Sequence, residues 1–165
     1  MRQKLNSTPF LVFLAIIIAL YFSLKSSPNK YENELSTSEL TLISGDKLEL
    51  SQFKGQYYVI HIFASWCSIC KYDFAFLSEI VKQTNAPVIG IAVNDNLSKL
   101  RLLNKANWPY NYIAIDLDLK IAKLIRNKAI PETIIIDPQG KVAFRYLGGL
   151  DMDIVKSQLI PMMRN

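Results

Sequence analysis

The feature that most constrains the fold is a nearly continuous run of apolar, β-branched and aromatic residues from Tyr57 to Ala64 (YYVIHIFA). Runs of this kind are typical of strands that are buried on both faces of a sheet. Such a strand requires further layers of structure on each side of it. The chain has 165 residues, enough for one domain with a full hydrophobic core, and the run indicates the central strand of that domain.

Two cysteines, Cys67 and Cys70, follow this strand at once within the sequence WCSIC, and the chain contains no other cysteine. Beyond them, apolar residues recur at helical spacing. These residues are Phe74, Leu77, Ile80 and Val81. The cysteine pair is therefore predicted to lie where a buried strand ends and a helix begins.

The rest of the chain alternates predicted strands with predicted helices. Two short strands flank a turn at Gly45-Asp46, and two others form a hairpin around the turn at residues 137–140. Further strands are expected at Val88–Val93 and Tyr112–Ile115, and a last helix begins near Asp151. This order indicates an α/β fold with a mixed sheet flanked by helices.

A structural role explains the Cys67–Cys70 pair poorly. A structural disulfide stabilises a protein mainly by closing a long loop in the unfolded chain, and this pair encloses two residues. A structural zinc site needs about four ligands, whereas the chain offers two thiols and one histidine, His61. A coincidental pair stays open as an alternative. The placement between strand and helix favours redox chemistry.

A cysteine at the start of a helix is activated by its position. Backbone N–H groups and the positive end of the helix dipole stabilise the thiolate, which is the attacking species. Cys67 is therefore the candidate nucleophile, which would form a mixed disulfide with a substrate. Cys70, one turn further on and facing the core, is the candidate resolving cysteine. Trp66 is expected to form an exposed apolar rim of the site or else to pack against it.

An uncharged apolar segment runs from Phe10 to Leu24. It is shorter than the roughly 20 residues of a usual membrane span, and a cleaved signal peptide is an open alternative. However, no small-x-small cleavage site follows it, and Tyr21 and Phe22 are typical of interfacial aromatic residues. We therefore predict an uncleaved N-terminal transmembrane helix within residues 1–24, with residues 9–24 in contact with the membrane.

The positive charge of the chain is concentrated around this segment. Residues 1–30 carry four of the 19 basic residues and none of the 14 acidic ones, so the rest of the chain is nearly neutral. A nucleic-acid role would need a clustered basic face and is therefore disfavoured. The distribution of basic residues on the two sides of the apolar segment slightly favours an N-terminus inside the cell and a domain outside it. Residues 25–38 are polar and are predicted to be a tether that leads to a domain at residues 39–165.

The sequence around the cysteines, residues 63–71 (FASWCSICK), resembles the active-site stretch of the thioredoxin superfamily. Residues 45–55 (GDKLELSQFKG) are similar to the lead-in of its membrane-anchored TlpA/ResA-like branch. Residues 131–137 (PETIIID) resemble the region around that branch's cis-proline. Within the branch, the chain is most similar to the cytochrome c maturation proteins of the CcmG/DsbE type. The resemblance spans roughly residues 40–160 and implies a thioredoxin-like fold.

The resemblance also implies roles for residues outside the cysteine pair. Pro131 is expected to be cis and to lie beside Cys67, while an ordinary trans proline stays open as the alternative. Ile130 would pair through its backbone with an extended substrate, so that Trp66, Ile130 and Pro131 bind substrate. Glu132 resembles an acidic residue that tunes the thiols, and its alternative is a surface residue of a partly exposed strand.

Two features depart from the pattern of these relatives. Six residues before Cys67, thioredoxins carry Asp and the anchored branch usually Asn, whereas this chain has His61. A lone histidine on an apolar strand is more often a core residue, but beside a buried thiol it could accept the proton of Cys70. The loop at Ile125–Ile130 lacks the glycines and the aromatic residue that are usual in the cytochrome c maturation branch.

The resemblance implies a thiol:disulfide oxidoreductase of the bacterial inner membrane, with a single span and a domain that faces the periplasm. Its substrates would be disulfides of apocytochrome c or of a haem-ligation chaperone, and its electrons would come from a membrane thiol donor of the DsbD or CcdA kind. We expect no cofactor and no metal, because the dithiol itself carries the two electrons.

Three other functions depend on particular residues. A general anchored disulfide reductase would use the same site. A thiol peroxidase of similar fold would need a neighbouring Thr and Arg, and Thr84 and Arg101 have no motif relation to Cys67. A copper chaperone of similar fold would need a wider cysteine spacing and a downstream histidine, and no histidine follows His61.

Overall fold

The computed structural model describes residues 8–25, 30–102 and 108–164. The N-terminal part of this range forms helix α1 (Thr8–Lys25) and the short helix α2 (Lys30–Ser36). Residues 1–7 of the predicted anchor and 26–29 of the predicted tether lie outside the described residues. Within the described ranges no helix has both the length and the apolar character needed to cross a membrane, and the prediction of a transmembrane helix is not confirmed.

The predicted hairpin around Gly45-Asp46 is present as a two-stranded antiparallel sheet. Its strands are β1 (Glu39–Thr41) and β2 (Lys47–Glu49). A short 3-10 turn, Leu50–Phe53, follows and buries Leu50 and Phe53.

The main sheet has five strands within the described part of the chain. They are β3 (Tyr58–Phe63), β4 (Val88–Val93), β5 (Tyr112–Asp116), β6 (Glu132–Ile136) and β7 (Val142–Leu147). Their order is β5-β4-β3-β6-β7, with β4 parallel to β3 and β5, and with β6 antiparallel to β3 and β7. The predicted mixed sheet is confirmed, and β3 is its central strand with all six residues buried.

Helices cover both faces of this sheet. Their bounds are α3 (Ser68–Thr84), α4 (Leu97–Leu102), α5 (Lys120–Leu124), α6 (Met152–Ile154), a π-helical turn (Val155–Leu159) and α7 (Ile160–Arg164). Residues of β3 alternate between two buried clusters. Val59 packs with residues of α3 and α7, while Ile60 and Ile62 pack with residues of α2 and α5. His61 and Phe63 share the face of Val59, because side chains alternate along a strand.

The predicted tether contributes to the core, contrary to the expectation from its polar sequence. Leu35 in α2 is 1% exposed and packs in the same cluster as Ile60 and Ile62. Ser38 is also buried, and its hydroxyl donates a hydrogen bond to the Glu34 carbonyl (2.7 Å). Leu35 is accompanied by only one other hydrophobic residue, Tyr31, in this polar segment, and two residues are too few for a periodic signal.

Candidate active site

Cys67 and Cys70 lie at the junction of β3 and α3, as the sequence predicts, and they are joined in a disulfide with Cα atoms 5.3 Å apart. Cys67 is the N-cap of α3, and its Sγ accepts a hydrogen bond from the Cys70 backbone N–H (3.1 Å). When the disulfide is reduced, this N–H group and the helix dipole favour negative charge on the Cys67 sulfur. The local geometry therefore activates Cys67 in the way that the sequence pattern indicated.

The two cysteines differ in their access to solvent. Cys67 is 8% exposed, whereas Cys70 is fully buried on the inner face of α3. A substrate disulfide can therefore reach the Cys67 sulfur, while Cys70 can react only with the Cys67 sulfur itself. This asymmetry favours the predicted roles of nucleophile and resolving cysteine.

Trp66 forms the predicted apolar rim. Its side chain is 55% exposed, and its indole N–H donates a hydrogen bond to the Asn94 carbonyl (3.1 Å), which holds the ring in place. Ile69 and Tyr72 lie on the same outward side of α3, three residues apart, and are 56% and 75% exposed. An exposed apolar surface therefore borders Cys67, as expected of a site that binds another polypeptide.

The peptide bond between Ile130 and Pro131 is cis, as the resemblance implies. Ile130 packs against the buried cluster that contains Cys67 and Cys70, so the cis bond lies beside the disulfide. The Pro131 carbonyl accepts a hydrogen bond from the Gly148 N–H (2.9 Å). Ile130 and Trp66 thus border the cysteine pair from two different loops.

Glu132 is fully buried and paired, so the alternative of a surface residue is wrong. One carboxylate oxygen accepts a hydrogen bond from the Arg145 guanidinium, and the other accepts one from the Asn127 side-chain amide. Arg145 lies on β7 opposite Ile134, diagonally across the hairpin from Glu132. Neither partner was expected from the sequence, although the predicted hairpin places Arg145 close to Glu132.

His61 is fully buried and is bonded through both ring nitrogens. Nδ1 lies 2.7 Å from the Tyr110 hydroxyl, and Nε2 lies 3.2 Å from Oδ2 of Asp73. Asp73 is also fully buried, and its Oδ1 accepts a hydrogen bond from the Leu150 N–H (2.8 Å). A continuous polar network therefore crosses the core, from Tyr110 just before β5, through His61 on β3, to Asp73 on α3.

The Tyr110 hydroxyl keeps its proton within this network. Burial, and in second place the charge of Asp73, hold the pKa of the Tyr110 hydroxyl well above its ordinary value. The protonated phenol lies within hydrogen-bond distance of Nδ1 of His61. Nε2 of His61 and Oδ2 of Asp73 form the next hydrogen bond, so that Tyr110, His61 and Asp73 are connected in one series.

No role in the site was expected for Asp73 and Tyr110 from the sequence, although each leaves a signal. Asp73 follows Cys70 by three residues and interrupts an apolar helix face, where a carboxylate needs a partner. Gly90 pairs in register with His61, and a Cβ there would lie 2.9 Å from the Tyr110 ring. The absence of a side chain at Gly90 is therefore what lets the Tyr110 ring lie across β4 and reach His61.

Residues 32–145 match the model of the AhpC/TSA family. Among curated relatives, the probable thiol:disulfide interchange protein DsbE-2 of Pasteurella multocida is 26% identical over 161 residues, which cover 93% of this chain and 85% of the relative. The thiol:disulfide interchange protein DsbE of Escherichia coli K12 is 25% identical over 178 residues, which cover 98% of this chain and 95% of the relative.

Solved structures share the fold. A secreted Mycobacterium tuberculosis disulfide oxidoreductase, described as homologous to E. coli DsbE, superposes with a TM-score of 0.67 at 16% identity, covering 78% of this chain and 98% of that one. The exposed lipoprotein thioredoxin of Streptococcus pneumoniae gives a TM-score of 0.63 at 22% identity, covering 76% of this chain and 98% of that one. With its Cys67–Cys70 disulfide at the start of α3, the chain belongs to the AhpC/TSA family and is a thiol:disulfide oxidoreductase with a thioredoxin-like fold.

Proposed function

We propose that this protein acts as a reductase of protein disulfides. The observation that carries the proposal is the asymmetry of the pair, with Cys67 reachable beside the cis Ile130–Pro131 bond and Cys70 fully buried behind it. The Cys67 thiolate attacks one sulfur of a substrate disulfide, forms a mixed disulfide and releases the other sulfur as a thiolate. Cys70 then attacks Cys67, which releases the second substrate thiol and closes the Cys67–Cys70 disulfide.

The second step requires that buried Cys70 lose its proton, and we assign the acceptor role to His61. The imidazole lies on the face of β3 that packs against α3, and Asp73 follows Cys70 on the buried face of that helix. Both ring nitrogens of His61 are hydrogen-bonded, so Nδ1 would take up the proton in exchange for its present hydrogen bond with Tyr110. The imidazolium so formed would be stabilised at once by the Asp73 carboxylate at Nε2. Glu132, for which the resemblance implies thiol tuning, is held next to Pro131 by Arg145 and Asn127, and we assign it to the stability of the fold.

For the substrate, we propose a disulfide of apocytochrome c or of a haem-ligation chaperone, with electrons supplied by a membrane thiol donor of the DsbD or CcdA kind. The similarity to proteins named DsbE over nearly the whole chain supports this choice. A general reductase of other extracytoplasmic proteins is the second candidate, favoured by the loop at residues 125–130, which has no glycine.

We further propose that the domain lies on the periplasmic side of the bacterial inner membrane and is held there through residues 9–24. The uncharged segment from Phe10 to Leu24, with Arg2 and Lys4 before it, supports this orientation. Fusing alkaline phosphatase to the C-terminus tests it, because that reporter is active only outside the cytoplasm. An inactive but intact fusion would contradict the proposed location.

The assigned cysteine roles are tested by trapping. In a Cys70→Ser variant the mixed disulfide at Cys67 cannot be resolved, so substrates are captured covalently and can be identified by mass spectrometry. A Cys67→Ser variant is the matched control and should capture none. Capture through Cys70 instead would refute the roles, and capture of proteins unrelated to haem attachment would favour the general reductase.

The direction of the reaction is tested by the reduction potential of the dithiol. Thiol–disulfide oxidoreductases that act as reductants have reduction potentials of about −200 to −270 mV, whereas a strong oxidant has a reduction potential of about −120 mV. Equilibration with glutathione buffers, followed by alkylation, measures the value. A potential close to that of the strong oxidant would contradict a reductase.

A further inference from the structure

A groove opens beside the active site, between Trp66 and the loop that leads to Pro131. Its volume is about 340 Å³. Trp66 and Asn94 line one side, and α5 with the loop at residues 125–130 lines the other. The groove therefore begins at the residue before Cys67 and ends at the residue before the cis-proline. A polypeptide whose disulfide reaches Cys67 between Trp66 and Ile130 would lie next to it.

The lining of the groove carries positive charge without compensating negative charge. Its cations are Lys123, Arg126 and Lys128, all exposed, and no Asp or Glu lines it. Across the described residues, no carboxylate lies within ion-pair distance of any of the three. Lys123 donates to a backbone carbonyl, that of Asp118 (3.2 Å), which leaves its charge unneutralised.

The neighbouring cation Arg145 differs from the groove cations, because it does have a carboxylate partner. Arg145 lies just beyond the groove and is paired with the buried carboxylate of Glu132. Its charge is therefore used within the protein. The charges of Arg126 and Lys128 have no such partner among the described residues and remain available to a ligand.

The loop holds these charges in a defined position. Arg126 adopts a φ of 54°, a left-handed conformation that disfavours side chains with a Cβ, yet the position is occupied by arginine. The next residue, Asn127, fixes the loop by donating from its side chain to the Ala129 carbonyl (2.8 Å) and to Glu132. Arg126 and Lys128 are thus presented on either side of an anchored residue, which reduces the entropy lost on binding.

We propose that this basic groove binds an acidic, extended segment that adjoins the disulfide of the protein substrate. Trp66 supplies an apolar contact next to Cys67, and Lys123, Arg126 and Lys128 select Asp and Glu residues further along the segment. The inference rests on the proposed reductase function and deepens it, because it names the class of disulfide that the enzyme prefers.

Three fluorogenic peptides test the proposal. They share one disulfide and differ only in flanking residues, which are Asp and Glu, Ser and Gln, or Lys. With the reduced full-length protein at low salt, we expect the acidic peptide to be reduced about tenfold faster than the lysine peptide, and the ratio to approach one at about 1 M salt, where charges are screened beyond about 3 Å.

The matched variants separate the groove from net charge. Arg126→Asn with Lys128→Gln removes two groove cations, and asparagine tolerates the left-handed backbone at position 126. Lys54→Gln with Lys141→Gln removes two exposed cations at the opposite end of β3 and serves as the control. We expect the acidic preference to fall to less than threefold in the groove variant and to persist in the control.

An uncharged small disulfide, measured in parallel, reports the chemistry of the cysteine pair alone. Its reduction rate should be unchanged in both variants. Equal rates for the three peptides, with the small disulfide still reduced, would overturn the acidic preference and leave the proposed function standing. If the protein reduced none of the four disulfides, both the acidic preference and the proposed reductase function would be overturned.

Discussion

Asp73 and Glu132 are both fully buried carboxylates close to the disulfide, but the groups that hold them differ. Asp73 is bonded to His61, which is itself fully buried, and to a backbone N–H. Glu132 is bonded to Arg145, whose side chain is 35% exposed, and to the amide of Asn127. Each carboxylate therefore has one cationic or potentially cationic partner and one neutral partner.

The difference lies in whether the partner can change its charge. A guanidinium stays protonated in proteins, so Arg145 keeps its charge beside Glu132 and exchanges no proton with it. An imidazole ordinarily gains and loses its proton near neutral pH. We therefore expect the Glu132 pair to contribute to the stability of the fold and the Asp73 pair to contribute to proton transfer during the reaction.

Removal of Arg145 should have the largest effect, and it should act on stability. Arg145→Met leaves the Glu132 carboxylate buried without its cation. Breaking a buried pair in this way costs roughly 3–5 kcal/mol, and the partial exposure of Arg145 places the expected loss near about 3 kcal/mol. Urea unfolding measures the loss in the free energy of unfolding. The rate of thiol–disulfide exchange by the folded protein should stay the same.

The double variant Glu132→Gln with Arg145→Met provides the control for this prediction. It removes the buried charge together with its partner, so most of the lost stability should return. A slower reaction at unchanged stability would reverse the comparison and make Glu132 the residue that acts on the thiols.

Replacement of His61 should have a smaller effect, and it should act on the reaction. His61→Asn keeps a polar side chain but cannot accept the proton of Cys70. Loss of a positioned base typically slows a step by about 100-fold or more, equivalent to about 2.7 kcal/mol. Rapid quenching should show attack by Cys67 at its normal rate and accumulation of the mixed disulfide. Equal slowing of both steps would contradict the role of acceptor.

Replacement of Asp73 should be weaker still. Asp73→Asn retains an oxygen for the Leu150 N–H and a polar contact with His61, but it removes the negative charge that would stabilise an imidazolium. We expect the resolving step to slow about tenfold, because the imidazole then accepts a proton less readily. The acid limb of its pH dependence should shift to lower pH, because a proton on His61 is less favoured without the Asp73 charge. An unchanged pH profile would assign Asp73 a structural role alone.

The part of the molecule built from apolar patterns was predictable from the sequence. The run that ends at Ala64 and the position of Cys67 and Cys70 at a helix start were enough to locate β3, α3 and the disulfide, because burial and helix geometry follow from local patterns. The cis bond before Pro131 followed from a motif rather than from any local physical rule.

The polar network was not predictable in the same way. His61 was identified by its unusual position, but its partners lie 12 and 49 residues away in the chain, at Asp73 and Tyr110. Only the assembled sheet brings them together, with Gly90 leaving room for the Tyr110 ring. Spacing rules act over a few residues, so contacts of this kind depend on the tertiary structure.

The smallest expected effect tests the third member of the network through the pH dependence of stability. Burial and Asp73 raise the pKa of Tyr110, so above pH 10 the unfolded chain loses a proton that the folded chain keeps. Stability must therefore fall as the pH rises, by about 0.8 kcal/mol at half a unit above 10 for one such group. Tyr110→Phe should remove this part of the loss in unfolding experiments between about pH 8 and 10.5.

Tyr58 offers the matched control, because its pKa is raised by burial and by Asp137, at a position with no contact to His61 among the described residues. Tyr58→Phe should lessen the alkaline loss in the same way while leaving the resolving step unchanged, whereas Tyr110→Phe should also slow that step by removing the hydrogen bond that orients the imidazole. If both variants left the reaction unchanged, the proton-transfer unit would be reduced to His61 and Asp73.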